Sequence, residues 1–275
     1  MKKVIKSEKV KKDLYAKLYS DLHYIPGSNL TFLKKSIEKM EINKPDYVFF
    51  LGDLIDDSKY TKEQLIKIYD LVYRMSKLTK VLMVLGNHDQ FTRTNDNKWL
   101  DFYNDDYINE LKNMGIILLE NESYKDDNIF AYGTKFSGDY YENKEPINEF
   151  YENIKSVEFD KDKFNILMEH SPKHTFDKNT VKSLQNLKNL DLTLAGHFHN
   201  GCVPWYISKI LPGNVGLIDP YMNVLPVNAR GIKKITDTNL GIISAPLTTF
   251  NKLSGLSFVQ PLYFPTEQNI LIKKK

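Results

Sequence analysis

Residues 47–57 read Tyr47-Val48-Phe49-Phe50-Leu51-Gly52-Asp53-Leu54-Ile55-Asp56-Asp57. An unbroken apolar run of this length suits a strand buried on both faces of a sheet. The Gly-Asp that ends it puts a carboxylate at the carboxyl end of that strand. The same construction recurs along the chain. Leu14 to Ser20 leads into Asp21-Leu22-His23, and Val81 to Leu85 leads into Gly86-Asn87-His88-Asp89. Phe164 to Met168 leads into Glu169-His170, and Leu192 to Ala195 into Gly196-His197-Phe198-His199. Between the first three runs lie helical stripes. Leu30, Leu33, Ile37 and Met40 form one; Leu65, Ile68, Tyr69, Val72 and Met75 form another, opened by a Thr61/Gln64 capping box. Strand–helix–strand–helix–strand predicts a parallel sheet with right-handed crossovers, and such sheets form sites at the carboxyl ends of their strands. Every polar cluster above falls there.

From residue 115 the pattern changes. Ile116 to Leu119, Asn128 to Gly133 and Phe164 to Met168 read as strands with acidic, Tyr-rich connections, which fits a second sheet. After His199 the runs Gly241 to Ala245, Leu256 to Val259 and Ile270 to Lys273 are expected to complete that second sheet. No repeat or Gly/Ser linker interrupts the chain, and a split would cut the polar clusters apart. A single domain over residues 1–275 is the expectation, with the motifs in 14–200 and with 201–275 finishing the second sheet and a substrate cleft.

Composition is that of an ordinary soluble protein, with 41% apolar and 27% charged residues. The net charge of +3 is nearly balanced, which weighs against an extended nucleic-acid groove. The lysines of the first dozen residues read as a solvated terminus. A single cysteine rules out an intrachain disulfide, and no apolar stretch reads as a signal or a membrane span. A cytoplasmic protein is expected.

Five of the six histidines lie in the strand-end clusters. The order Asp-x-His, Gly-Asp-x-x-Asp, Gly-Asn-His-Asp, a lone His, then Gly-His-x-His resembles the calcineurin-like metallophosphoesterase superfamily, over residues 14 to 200. That resemblance implies an α/β fold of two mixed β-sheets packed as a sandwich and flanked by helices, in four layers. It implies one metal held by Asp21, His23, Asp53 and His199, and another held by Asp53, Asn87, His170 and His197. Simple chemistry agrees: a shared carboxylate offsets the repulsion of two close cations, and His197 and His199, two apart in extended chain, point the same way. Imidazoles, an amide oxygen and carboxylates without thiolate suit two divalent transition metals, Mn first, with Fe, Zn, Co or Ni also compatible. The resemblance further implies hydrolysis by in-line attack of a hydroxide bridging the two metals. His88 would assist the leaving group, and the Asp56 carboxylate would hydrogen-bond His88 and favour its charged form.

Outside these clusters plainer readings prevail. His174 mimics an i, i+4 pair with His170, but Pro172 argues against a helix there. Asp89 is read as a cap or brace for its turn. Arg93, one of three arginines, lies near the mouth of the site and could clamp a phosphate. The phosphoprotein phosphatases of this superfamily carry Gly-Asp-x-Val-Asp-Arg-Gly; here the stretch ends Asp56-Asp57-Ser58, which turns the expectation toward a small phosphodiester or pyrophosphate. A phosphomonoesterase, a nuclease and a non-catalytic scaffold are the rivals. Cys202 to Val227 is apolar yet broken by Pro and Gly; it fits core beneath the second sheet, a cleft wall beside an apolar or lipid head-group substrate at a membrane surface, or a dimer interface.

Overall fold

A computed structural model describes residues 2–93, 99–142, 144–248 and 268–275. The chain begins with strands β1 (Lys2–Ser7) and β2 (Leu14–Tyr19), then runs through helix α1 (Thr31–Ile42), β3 (Tyr47–Leu51), α2 (Lys62–Leu78) and β4 (Lys80–Val84). A short helix α3 (Asn87–Gln90) precedes the hairpin strands β5 (Phe91–Arg93) and β6 (Trp99–Asp101). Next come α4 (Asp105–Asn113), β7 (Ile117–Leu118), β8 (Glu122–Lys125), β9 (Ile129–Gly133), α5 (Gly138–Glu142) and α6 (Ile147–Ile154). The remainder holds β10 (Phe164–Glu169), α7 (Lys178–Ser183), β11 (Leu192–Ala195), β12 (Gly231–Lys234), β13 (Leu240–Ile243) and β14 (Gln268–Lys274).

Two six-stranded mixed sheets result, ordered β1-β14-β2-β3-β4-β7 and β12-β13-β11-β10-β9-β8. The expected parallel trio is present, since β3 runs parallel to both β2 and β4. Strand periodicity then sorts side chains into layers. Tyr47, Phe49 and Leu51 point inward and pack with Leu82, Val84, Ile166, Met168, Leu192 and Leu194 between the sheets. Val48 and Phe50 point outward against Leu33, Ile37, Leu65 and Ile68 of α1 and α2. On the far side, Tyr132 and Leu167 meet Tyr140, Phe150 and Ile154 of α5 and α6. The outcome is the expected four-layer sandwich. Asp126, in the turn between β8 and β9, ties the sheets together: its carboxylate accepts from the hydroxyls of Tyr47 (2.7 Å) and Tyr124 (2.9 Å), Lys80 Nζ (3.0 Å) and the amides of Asn128 and Ile129.

Two sequence expectations change. The run at Ile270 to Lys273 joins the first sheet, parallel to β1 and antiparallel to β2, not the second. The first of the N-terminal lysines belong to β1: Lys2, Val4 and Lys6 are exposed and Lys3 and Ile5 partly covered, on a sheet edge. The predicted strand Leu256 to Val259 lies outside the described residues. No described helix is long and apolar enough to cross a membrane.

Candidate metal centre

Strands β2, β3, β4, β10 and β11 each end in a turn that delivers one cluster. Asp21 N–H donates to Gly52 O (3.0 Å) and His23 N–H to Asp53 O (3.0 Å), so the turns after β2 and β3 are laced together. Asp89 holds the turns after β3 and β4. Its Oδ2 accepts the amides of Asp53 (2.7 Å) and Gly86 (2.9 Å); its Oδ1 accepts those of Leu54 (3.0 Å) and Ile55 (3.2 Å) and the Tyr107 hydroxyl (3.0 Å). Burial, then the neighbouring Asp53, push the Asp89 carboxyl up to about 6, with these donors pulling the other way. The approach is close enough to require glycine at two places. A Cβ on Gly86 would stand 2.1 Å from Asp53 Oδ1, and one on Gly52 (φ 84°) would stand 2.5 Å from Gly86 N.

Asp21, His23, Asp53, His197 and His199 all have left-handed backbone, with φ between 45° and 62°. Non-glycine residues hold that conformation at a cost of about 1–3 kcal/mol each, and a concentration of such residues marks a site whose geometry the fold enforces. The strain aims their side chains at one place. His23 Nε2 lies 3.0 Å from His199 Nε2 and 3.6 Å from Asp53 Oδ2, and His199 Nε2 lies 3.4 Å from Asp21 Oδ1. A second group forms around His170 Nε2: Asp53 Oδ2 at 3.2 Å, Asn87 Oδ1 at 3.2 Å and His197 Nδ1 at 3.1 Å. Asp53 belongs to both. The opposite ring nitrogens are fixed from behind, as metal-ligating histidines require. His170 Nδ1 donates to Leu51 O (2.7 Å), and His23 Nδ1 lies 3.2 Å from Asp56 Oδ1.

Electrostatics say what this cluster lacks. Asp21 and Asp53 are 0% and 1% exposed, and Asp21 Oδ2 has no hydrogen-bond partner among the described residues. Burial opposes ionisation of Asp53, yet His170, His88 and His23 hold its carboxyl well below the usual range. Burial likewise works against a charged His170, but Asp53 overrides it and lifts the imidazole to about 9. Burial first, then neighbouring imidazoles, carry His197 down; His199, its own charged form disfavoured by burial despite Asp21, falls to about 4. Buried carboxylates facing the lone pairs of His197 and His199, with His170 holding a proton in the place a cation would take, are a donor set that divalent cations complete.

A profile of calcineurin-like phosphoesterases matches residues 17–201. The chain belongs to the calcineurin-like phosphoesterase family. An uncharacterized metallophosphoesterase of Campylobacter jejuni is 28% identical over 214 residues, covering 76% of this chain and 51% of the relative. The chain therefore spans about half the length of the curated relative it matches. Among solved structures, a dimetal phosphatase from Danio rerio is 11% identical with a TM-score of 0.44, covering 85% of this chain and 87% of that one. The Pseudomonas putida nuclease MPE is 16% identical with a TM-score of 0.31, covering 67% and 61%.

In this calcineurin-like phosphoesterase all seven side chains singled out as ligands converge on the two groups. His88 stands beside them, its ring centroid 4.6 Å from that of His23 and its amide donating to Asp53 Oδ1 (2.9 Å). Asp56 meets His88 differently from expectation. His88 Nδ1 donates to the Asp56 main-chain carbonyl (2.8 Å), while the carboxylate stands 3.8 Å away and nearer His23. The reason is the Tyr24–Ile55 bridge, which lays Asp56 alongside the His23 turn. Burial, the largest influence on His88, lowers its pKa rather than favouring the charged form. Arg93 ends β5, and its side chain lies outside the described part of the structure. His174 Nε2 donates to Glu145 O (2.8 Å) and joins neither group. Glu145, whose Oε1 lies 3.5 Å from His197 Nε2, was not among the sequence candidates; it sits between elements, away from any strand end, where pattern carries no signal.

Proposed function

We propose that this chain is a dinuclear metal-dependent hydrolase of small phosphodiesters or pyrophosphates. The observation that carries the reading is the pair of donor groups sharing Asp53, each with imidazole nitrogens about 3 Å apart. Asp21, His23, Asp53 and His199 would hold one ion, and Asp53, Asn87, His170 and His197 the other, with Mn²⁺ the expected metal. Bound there, the cations supply the charge that polarises a phosphoryl oxygen and acidifies water. The protein's own part is positional. Asp89 and the two glycines fix the turns, and the Asp56 carbonyl, accepting from His88 Nδ1, orients the ring that would assist the leaving oxygen.

The segment after His199 bears on the substrate. Trp205 (51%), Ile210 (83%), Met222 (73%) and Val224 (74%) are exposed, so core beneath the second sheet does not describe them. Tyr221 meanwhile sets its ring 6.2 Å from that of His197. An apolar surface beginning at the metal centre supports a phosphoester with an apolar neighbour, such as a lipid head group at a membrane surface. The test is hydrolysis of bis-p-nitrophenyl phosphate, p-nitrophenyl phosphate and a DNA fragment by metal-stripped and Mn²⁺-loaded protein. Turnover of the diester that is abolished by chelator and restored by Mn²⁺ is expected. Full turnover in chelator would overturn the reading, and a preference for DNA would move it to a nuclease.

A further inference from the structure

Behind the second donor group lies a carboxylate that none of the seven-residue pattern includes. Glu145 follows α5 and is 1% exposed. Lys144 (φ 56°) and Glu145 (φ 61°) hold left-handed backbone in succession, a strained arrangement for two residues with side chains. Glu145 N–H donates to Tyr140 O (2.6 Å), and its carbonyl accepts from His174, so the main chain is pinned on both sides. The side chain then points to the metal centre. Its Oε1 accepts the Ser171 hydroxyl at 2.5 Å and lies 3.5 Å from His197 Nε2.

The chemistry of His197 asks for such a neighbour. Its Nδ1 faces His170 Nε2, so Nδ1 is the nitrogen that offers a lone pair to a cation, and the proton must sit on Nε2. That N–H is buried and has no hydrogen-bond partner among the described residues. A buried donor left unmatched is costly, and the nearby carboxylate removes that cost with little movement. Ser171 directly follows His170, so the same carboxylate also grips the turn that carries the other imidazole of this group. Among the described residues nothing comparable ties Glu145 to Asp21, His23 or His199.

Resting on the metallohydrolase reading above, we propose that Glu145 is the positioning residue of the second metal site. It accepts the Nε2 proton of His197, fixes that tautomer and ring, and holds the His170 turn through Ser171. The test is calorimetric titration of Mn²⁺ into metal-stripped wild-type, Glu145→Ala and Glu145→Gln proteins, with electron paramagnetic resonance of the loaded forms. Glu145→Ala should weaken one of two binding events by about 10–100-fold, the usual effect of losing such an outer partner, and spare the other. The exchange-coupled two-manganese signal should give way to that of a single ion. Glu145→Gln keeps an acceptor oxygen and should recover most of the affinity; should the alanine variant not fold, a smaller loss confined to that one binding event in the glutamine variant carries the test. Wild-type affinity at both sites in the alanine variant would overturn the proposal. So would equal weakening of both sites with a lowered melting temperature, the mark of a merely structural role. If wild-type protein itself takes up no ions, the metallohydrolase reading falls, and this assignment falls with it.

Discussion

Asp53 is the side chain on which both donor groups depend. One oxygen faces His23 and His170, and the other accepts the His88 amide. Asp53→Ala should therefore abolish uptake of both ions, whereas Asn87→Ala should loosen only the second; calorimetric stoichiometry distinguishes them. His88 makes a separate prediction. His88→Ala should retain both ions yet lose about 10²–10⁴ in kcat, with a smaller loss for esters whose leaving group is already a weak base. Equal losses for good and poor leaving groups would reduce His88 to a positioning role. At this scale the sequence was informative where chemistry is local: the seven converging side chains sit in blocks of two to four residues, each announced by an apolar run. It was silent where partners are distant in the chain. Nothing in Asp56 tells that its carbonyl, not its carboxylate, meets His88. Nor does anything near Glu145 announce a neighbour some fifty residues on.

Turns and strand junctions carry their own predictions. Asp89 satisfies four amides and a hydroxyl at the joint of β3 and β4. Asp89→Ala leaves those donors buried and should lower stability by about 2–4 kcal/mol in denaturant melts, with metal affinity falling at both sites. Asp126 offers a pH test. Burial raises its pKa, but the amides of Asn128 and Ile129, the Tyr47 hydroxyl and Lys80 more than reverse that and depress it. A carboxyl depressed in the folded state adds stability that is fully present above its unfolded value near 4 and fades as pH falls below it. Asp126→Asn should flatten that acid limb of the stability profile; an unchanged limb would count against the bridge between sheets. Elements with continuous apolar runs were legible, because burial on both faces leaves one reading. The β1 edge was not, because lysines flank its two apolar residues and a solvated tail reads the same way; the β14 run was legible as a strand, but not its place in the first sheet.

For the molecule as a whole, two cations bound only by the folded state should act as a brace. At a hundredfold excess over Kd, one site adds about 2.7 kcal/mol. At roughly 2–4 °C per kcal/mol for a chain of this size, Mn²⁺ should raise Tm by about 5–10 °C for each site filled, reversibly with chelator. Scanning calorimetry checks this, and an unmoved Tm would argue against tight binding. The layered architecture was readable from strand–helix alternation, but the closure of the first sheet was not, since nothing local says that β14 lies between β1 and β2. That placement sets a timetable for synthesis. Strand β2 emerges from the ribosome about 250 residues before its neighbour, a wait of roughly 10–50 s at about 5–20 residues per second. Throughout it, the strand that leads into Asp21 and His23 presents an unmatched edge, the kind that recruits other chains. The nascent polypeptide has most of its candidate ligands early and its closing strand late, so chaperone demand should last until residues 268–274 are made, and metal loading should follow. A chain halted at residue 267 should be captured by holdases and cleaved rapidly by protease, while one that includes β14 should resist both.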